Sequence, residues 1–197
     1  MDSNRHLCRP ECQTEMSIAS ITQQCISRNV DNVRKLCDFL SEAMGPVHIQ
    51  LDIGIPVQDL IRRNNLNVMR APGDGHCLLH AWATGTNTSE GALKQALLDE
   101  YNHNMARYMN AAINPEQLMR YIESRNYALD AADVIVDMLC NATQTTAFII
   151  GAKFDYTDAR NPSVVPNVTE VRQIAALGLS TQNVLLLKTG EHYDCLC

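Results

Sequence analysis

The sequence predicts an α+β domain, and three observations support that fold class. Apolar residues recur at helical spacing in several stretches before residue 142, for example from Leu93 to Tyr101. Two apolar, β-forming runs, 145–150 and 183–188, come only late in the chain. Helices interleaved with late strands are typical of a small central sheet packed between helices, which is the expected architecture.

The N-terminal part of the sequence predicts an extension before the main domain. Residues 1–15 are polar and are expected to form a flexible tail. Residues 16–60 contain two amphipathic helical stretches and then, after Gly45-Pro46, a strand or extended link over 47–57. We therefore expect a tail, a helical N-terminal extension over 16–60 and a main domain over 61–197.

Three helices are predicted at the start of the main domain. The first is short and covers residues 59–65, and the second is an apolar segment over 78–83 that Thr84-Gly85 ends. Thr88 or Ser89 can cap the third. The residues expected on the inward face of that third helix are Leu93, Ala96, Leu97, Tyr101 and Met105.

Two more helices and three strands complete the prediction. Asn114-Pro115 supplies an N-cap and a proline at the first helical position, which opens a helix. Another helix is expected over 130–141, followed by the two apolar strands and a last short strand over 192–196. A loop with Pro162 and Pro166 is expected between the apolar strands. The residues expected to face inward are Leu118, Met119 and Ile122 in the first helix and Val134, Met138 and Leu139 in the second.

Charge and hydropathy exclude two classes of partner. The formal net charge is −6, whereas a nucleic-acid-binding protein needs a basic surface to neutralise phosphates, so no nucleic acid is expected. The sequence shows no basic N-terminal region followed by an apolar segment, and no run of about 18 apolar residues. A soluble, cytoplasmic protein without a membrane span is therefore expected.

The eight cysteines are expected to be free thiols rather than disulfides or metal ligands. No CxxC pair occurs, and no secretion signal favours a disulfide framework. His6, Cys8 and Cys12 lack the paired spacing and the fourth ligand of a structural zinc site, so no metal and no cofactor are expected. The cysteines in apolar, periodic surroundings, expected to act as small hydrophobic residues, are Cys25, Cys37 and Cys140.

Cys77 has a different setting, because it follows Pro72-Gly73-Asp74-Gly75-His76 and begins an apolar helical run. The first turn of a helix has unpaired N–H groups and the positive end of the helix dipole, which favour an anion such as a thiolate. The same N–H groups, those of Cys77 and the residues just before it, can hold a developing oxyanion. Cys77 is thus a candidate nucleophile, although a buried structural cysteine after a turn fits the local pattern as well.

A nucleophilic thiol needs a general base, and His192 is the best candidate among the six histidines. It follows a predicted strand and a turn, and Asp194 lies two residues further on, where an extended chain directs side chains to the same face. Asp194 can therefore orient the imidazole and stabilise its protonated form. His76 is expected to point away from the thiol, and His80 to pair with its surroundings. A surface histidine after a turn is the alternative.

The two motifs together resemble the ovarian-tumour (OTU) family of cysteine proteases. The resemblance rests on Asp74-Gly75-His76-Cys77-Leu78 and His192-Tyr193-Asp194, which lie in the family's order and about 115 residues apart (192 − 77). Residues 127–150 also resemble the family's middle region, a helix followed by an apolar strand. Two departures are His76, where asparagine is common, and Ala131-Ala132, where a tryptophan-containing segment is often seen.

This resemblance implies a papain-like OTU fold and cleavage of isopeptide or peptide bonds after the C-terminus of ubiquitin or a ubiquitin-like protein. It implies that Cys77 attacks the carbonyl, that His192 transfers the proton and that Asp194 orients His192. It also implies that Asp74 supports the loop whose amides, around Gly75 and His76, form the oxyanion hole. A viral source, with the host cytoplasm as location, is expected.

Two alternative functions remain open from the sequence. One is a protease that acts mainly in cis on its own polyprotein through the same three residues. The other is a non-catalytic module that binds ubiquitin, which the presence of nucleophile, base and orienting acid argues against. Replacement of His76 or His80 by alanine is expected to matter much less than replacement of the triad.

Overall fold

The computed structural model describes residues 32, 34–38, 56–111, 113–125, 132–153 and 166–197. Several predictions from the sequence fall outside these ranges. They are the flexible tail at 1–15, the helical stretches up to residue 31, the extended link over 47–55, and the candidate metal ligands and thiols His6, Cys8, Cys12 and Cys25.

Helices and strands are largely segregated along the described ranges, as is typical of an α+β domain. The helices are α1 (Val57–Arg63), α2 (Cys77–Thr86), α3 (Glu90–His103), α4 (Met105–Asn110), α5 (Pro115–Ser124) and α6 (Ala132–Thr143), and residues 34–38 are also helical. The strands are β1 (Val68–Met69), β2 (Thr145–Lys153), β3 (Asn167–Ile174), β4 (Gln182–Thr189) and β5 (His192–Leu196). None of the helices in the described ranges is long and apolar enough to cross a membrane.

The strands form one five-stranded sheet in the order β1-β5-β4-β2-β3. Strands β2 and β4 pair in parallel, whereas the other neighbours are antiparallel. The apolar strands β2 and β4 and the last strand β5 confirm the prediction. Strand β3 lies where a loop was expected, so that prediction was wrong. As an edge strand, β3 buries only Val168 and Val171, and so few apolar residues do not indicate a strand in the sequence.

Both faces of the sheet are covered by helices, as the fold class predicts. Along β2 the side chains alternate: Ala147 and Ile149 join a core with α2, α3, α5 and α6, while Phe148 and Ile150 join a second core on the opposite face. That second core includes Leu36 of the helical residues 34–38 and residues of α1. The central position of β2 explains why all of its side chains except Lys153 are buried.

Helix α2 continues through Gly85, where the sequence had predicted its end. A Cβ atom at Gly85 would lie 2.5 Å from Cγ2 of Val184 and 3.3 Å from Sγ of Cys195. Glycine at this position therefore allows α2 to lie closely against β4 and β5. The helix ends at Asn87, which has a left-handed φ of 52°. Tertiary packing, rather than a break in the helix, accounts for the glycine.

The predicted helix caps are present, whereas two residues expected to face inward do not. Ser89 accepts a hydrogen bond from the Ala92 N–H at 3.2 Å, and Asn114 forms a capping box at the start of α5. Met105 is exposed, so its predicted place on the inward face of α3 was wrong, and Met119 of α5 is also exposed. The helical pattern breaks at Asn104, which caps the separate helix α4, and this break places Met105 outside the stripe of α3.

Candidate active site

Cys77 is the first residue of α2, and His76 is the N-cap of that helix. The Cys77 thiol is largely buried and lies 3.8 Å from the carbonyl oxygen of Glu191, which is in the turn between β4 and β5. This contact brings the first turn of α2 next to the start of β5, where His192 lies. As the first residue of a helix, Cys77 has an N–H that no carbonyl of the same helix can accept.

His192 and Asp194 face the same side of β5 and are bonded to each other. His192 Nε2 lies 3.0 Å from Asp194 Oδ1, as the two-residue repeat of a strand predicts. The Asp194 side chain is 1% exposed, whereas that of His192 is 33% exposed. Because a carboxylate only accepts, Nε2 carries the proton in the neutral ring and Nδ1 is left as the basic nitrogen.

Asp194 is held in place by two groups that the sequence did not indicate. The Arg70 guanidinium lies 2.8 Å from Oδ2, and the Ala71 N–H donates to Oδ1 at 2.9 Å. Both donors come from the segment between β1 and the glycine-containing loop, and β1 pairs with β5. More than 120 residues separate these partners in the chain, so no local pattern pointed to them.

Asp74 ties the loop before Cys77 to its surroundings. Its Oδ1 accepts the His76 N–H at 3.0 Å, while its Oδ2 lies 3.1 Å from His80 Nε2 and also bonds the Arg125 guanidinium. The hydrogen bond from the His76 N–H, followed by His80 and Arg125, lowers the pKa of Asp74 to about 2. Asp74 is therefore an ionised acceptor at neutral pH, and it connects the loop to His80 of α2 and to Arg125 at the end of α5.

The ring nitrogens of His76 and of His80 all contact neighbouring protein groups. His76 Nδ1 lies 2.9 Å from Glu90 Oε1, and His76 Nε2 lies 2.6 Å from the Tyr121 carbonyl oxygen. His80 lies between Asp74 and Glu90 Oε2, the latter at 3.5 Å. The His76 N–H is also occupied by Asp74, which leaves the amides of Gly75 and Cys77 as the candidate oxyanion donors in this loop.

Gly75 permits the loop to approach the end of α5. Its φ is +89°, and a Cβ atom there would lie 1.8 Å from the Arg125 carbonyl oxygen. Gly75→Ala is therefore expected to destabilise the protein by about 3 kcal/mol or more, from backbone strain and overlap with a main-chain atom. Gly73→Ala is the matched control, because no atom lies within 4 Å of the added Cβ there.

Chemical denaturation of the two glycine variants measures this difference. For Gly73→Ala we expect a change within about 0.5 kcal/mol, as for an ordinary surface substitution. Equal free energies of unfolding for the two variants would show that Gly75 does not need its left-handed conformation.

The other described thiols differ from Cys77 in their environment. Burial raises the pKa of Cys37 and of Cys140 to about 12, so these thiols stay protonated, consistent with their predicted role as small hydrophobic residues. Cys197 is the exception: a hydrogen bond with Cys195 lowers the pKa of Cys197 to about 7. Experiments on thiol reactivity must therefore separate Cys77 from Cys197.

Within the described part of the chain, no three His, Cys, Asp or Glu residues cluster as metal ligands.

Comparisons with known proteins identify the fold. No protein-family model matches the sequence, and no curated protein matches it. The OTU domain of human OTUD1 superposes with a TM-score of 0.50 at 12% identity, over 71% of this chain and 90% of that domain.

Two viral OTU structures are also similar. The OTU protease of Dera Ghazi Khan virus has a TM-score of 0.47 at 18% identity, over 66% of this chain and 80% of that one. The ubiquitin-bound OTU of Hazara virus has a TM-score of 0.42 at 21% identity, over 67% and 80%. The superposition on OTUD1 shows that this chain has the fold of an OTU domain, as its paired motifs predict.

Proposed function

We propose that this protein is a cysteine protease that hydrolyses isopeptide or peptide bonds after the C-terminus of ubiquitin or a ubiquitin-like protein. One observation supports this most directly. The thiol of Cys77, at the N-terminus of α2, contacts the residue before His192, and the His192 ring is held by the buried carboxylate of Asp194. The candidate nucleophile therefore lies at the start of α2, next to the start of β5, which carries the candidate base and orienting acid.

The arrangement supports acyl transfer in two steps. His192 Nδ1 accepts the thiol proton, and the Cys77 sulfur attacks the carbonyl carbon of the scissile bond. The Cys77 amide donates to the resulting oxyanion, and the imidazolium gives its proton to the leaving amine as the C–N bond breaks. Water, deprotonated by His192, then attacks the thioester, which releases the carboxylate and the free thiol.

The substrate class is proposed from the family resemblance and the fold. It follows from the resemblance of the Asp74–Leu78 and His192–Asp194 motifs to OTU proteases and from the shared fold. Viral origin and action in the host cytoplasm belong to the same proposal, whereas a protease that acts mainly in cis on its own polyprotein is the alternative. The catalytic chemistry would be identical for a polyprotein substrate, so only a substrate-specific experiment separates the two uses.

A ubiquitin with a C-terminal electrophile tests the proposal. We expect wild type to form one covalent adduct, which peptide mass spectrometry places on Cys77. A Cys197→Ser background removes the thiol whose pKa is lowered by Cys195 and should leave the adduct unchanged. An adduct on a different cysteine, or none under conditions in which a peptide substrate is cleaved, would contradict a ubiquitin-directed activity. Binding of ubiquitin without adduct or turnover would instead indicate a non-catalytic module.

A further inference from the structure

The geometry points to His76 as an imidazolium, protonated on both ring nitrogens, that pairs with Glu90 and positions the Cys77 amide for catalysis. His76 is a positioning residue in this inference, since its side chain is directed away from the reacting atoms. The catalytic part of the inference rests on the proposed function, whereas the charge of His76 is a property of the fold alone.

The hydrogen-bond partners of the His76 ring require a proton on each nitrogen. The Tyr121 carbonyl oxygen, 2.6 Å from Nε2, is a main-chain acceptor that has no proton to donate. Glu90 Oε1, 2.9 Å from Nδ1, belongs to a carboxylate that also bonds Lys94 Nζ at 2.6 Å. A neutral imidazole can donate to only one of these acceptors, whereas an imidazolium donates to both.

The charge of Glu90 does not depend on His76 alone, since Lys94 also bonds its carboxylate. Burial raises the pKa of Glu90, but hydrogen bonds from Lys94 and His76 outweigh this effect and hold the pKa below its usual range. Lys94 lies on the same helix, α3, one turn from Glu90. His80 also faces the carboxylate, with 3.5 Å between its Nδ1 and Glu90 Oε2. Glu90 is therefore an ionised acceptor, which fixes the proton on His76 Nδ1.

Burial of the His76 side chain makes a neutral ring, with one hydrogen bond missing, energetically costly. The His76 side chain is 0% exposed and its ring packs edge-on against the Tyr121 ring, with centroids 5.3 Å apart. A neutral ring would lack a hydrogen for one of these two acceptors and would turn a nitrogen lone pair toward its oxygen, where the buried ring cannot reach solvent instead. The charged groups that face His76 are Glu90 from α3, which is paired with Lys94, and Asp74 from the loop, which is paired with Arg125.

The ring also fixes the peptide group that contains the Cys77 amide. The carbonyl oxygen of His76 accepts the His80 N–H at 3.0 Å, and the His76 N–H donates to Asp74. The side chain adds two further contacts, to α3 through Glu90 and to α5 through Tyr121. The His76–Cys77 peptide is thus held by a hydrogen bond at its carbonyl, and the residue that carries it is anchored at its N–H and at both ring nitrogens, which fixes the direction of the Cys77 N–H.

Nuclear magnetic resonance of the full chain with ¹⁵N-labelled histidine tests the charge. At neutral pH we expect N–H correlations from both ring nitrogens of His76, identified by their loss in His76→Asn. A single ring N–H together with an unprotonated nitrogen would overturn the inference. This measurement does not depend on any enzymatic activity, so it decides the charge of His76 even if ubiquitin is not the substrate.

Hydrolysis of a ubiquitin C-terminal amide tests the positioning role. We expect His76→Asn to lower kcat roughly tenfold with little change in KM, a part of the hundredfold or larger loss that follows removal of an oxyanion donor. Glu90→Gln keeps the shape of the side chain and should lower kcat in the same way, though less. Glu116→Gln is the matched control, because Glu116 is an exposed glutamate of α5, and this variant should retain wild-type kcat.

The double variant separates positioning from general damage. If His76 and Glu90 act as one unit, the double variant should lose no more kcat than His76→Asn alone. Losses that multiply, or a change confined to KM, would contradict the positioning role. Should His76→Asn fail to fold, the kcat of Glu90→Gln compared with Glu116→Gln still decides.

Discussion

Cys77→Ala is expected to abolish hydrolysis of a ubiquitin C-terminal amide, with a loss of about 10⁴-fold or more in kcat, the scale seen when a nucleophile is removed. The reason is that alanine has no atom able to form the thioester. The binding surface and the His192–Asp194 pair remain in place, because the substitution removes one buried sulfur atom. We therefore expect KM to change much less than kcat.

The control for this variant is Cys140→Ala. Cys140 is also a buried helical thiol, but its pKa is raised to about 12 by burial and it lies in α6. We expect Cys140→Ala to keep its kcat and to lose only stability, by about 1 kcal/mol for one buried sulfur. Wild-type turnover in Cys77→Ala would exclude Cys77 as the nucleophile and, with it, the proposed mechanism.

His192→Ala is expected to lower kcat by about 10³- to 10⁴-fold, since general acid–base catalysis typically contributes on this scale. Without the imidazole, no group takes the thiol proton or returns it to the leaving amine. His192 is one-third exposed and is the first residue of β5, so its truncation should leave the free energy of unfolding almost unchanged. A rate assay paired with chemical denaturation measures both effects.

His103→Ala is the matched control for His192→Ala. His103 is an exposed histidine at the end of α3, and its Nδ1 bonds the Asp99 carbonyl oxygen of the same helix. We expect its replacement to leave kcat at the wild-type value. If His192→Ala lost no more activity than His103→Ala, the base would have to be another group. Asp194 is a poorer test, because its loss would also release Arg70 and Ala71.

The parts of the fold that local chemistry controls were predictable from the sequence. The caps at Ser89 and Asn114 use a side chain within three residues of the N–H that it accepts. The apolar strands β2 and β4 are continuous runs of buried residues, so their composition alone identified them. In contrast, β3 depends on pairing with β2, and its sparse apolar residues did not distinguish it from a loop.

The same distinction holds for the candidate site. That Cys77 begins a helix and that His192 and Asp194 face one side of a strand were predictable, because both follow from short-range geometry. The contacts of Arg70 with Asp194 and of Arg125 with Asp74 were not predictable, since long-range packing brings these partners together.

His76 shows the limit of the sequence most clearly. Its position next to Cys77 indicated that the side chain points elsewhere, and on that basis its replacement was expected to matter little. The folded chain brings Glu90 and the Tyr121 carbonyl oxygen to its two ring nitrogens. A residue's charge when buried depends on which groups surround it, and helices α3 and α5 supply those groups only after they have packed against α2.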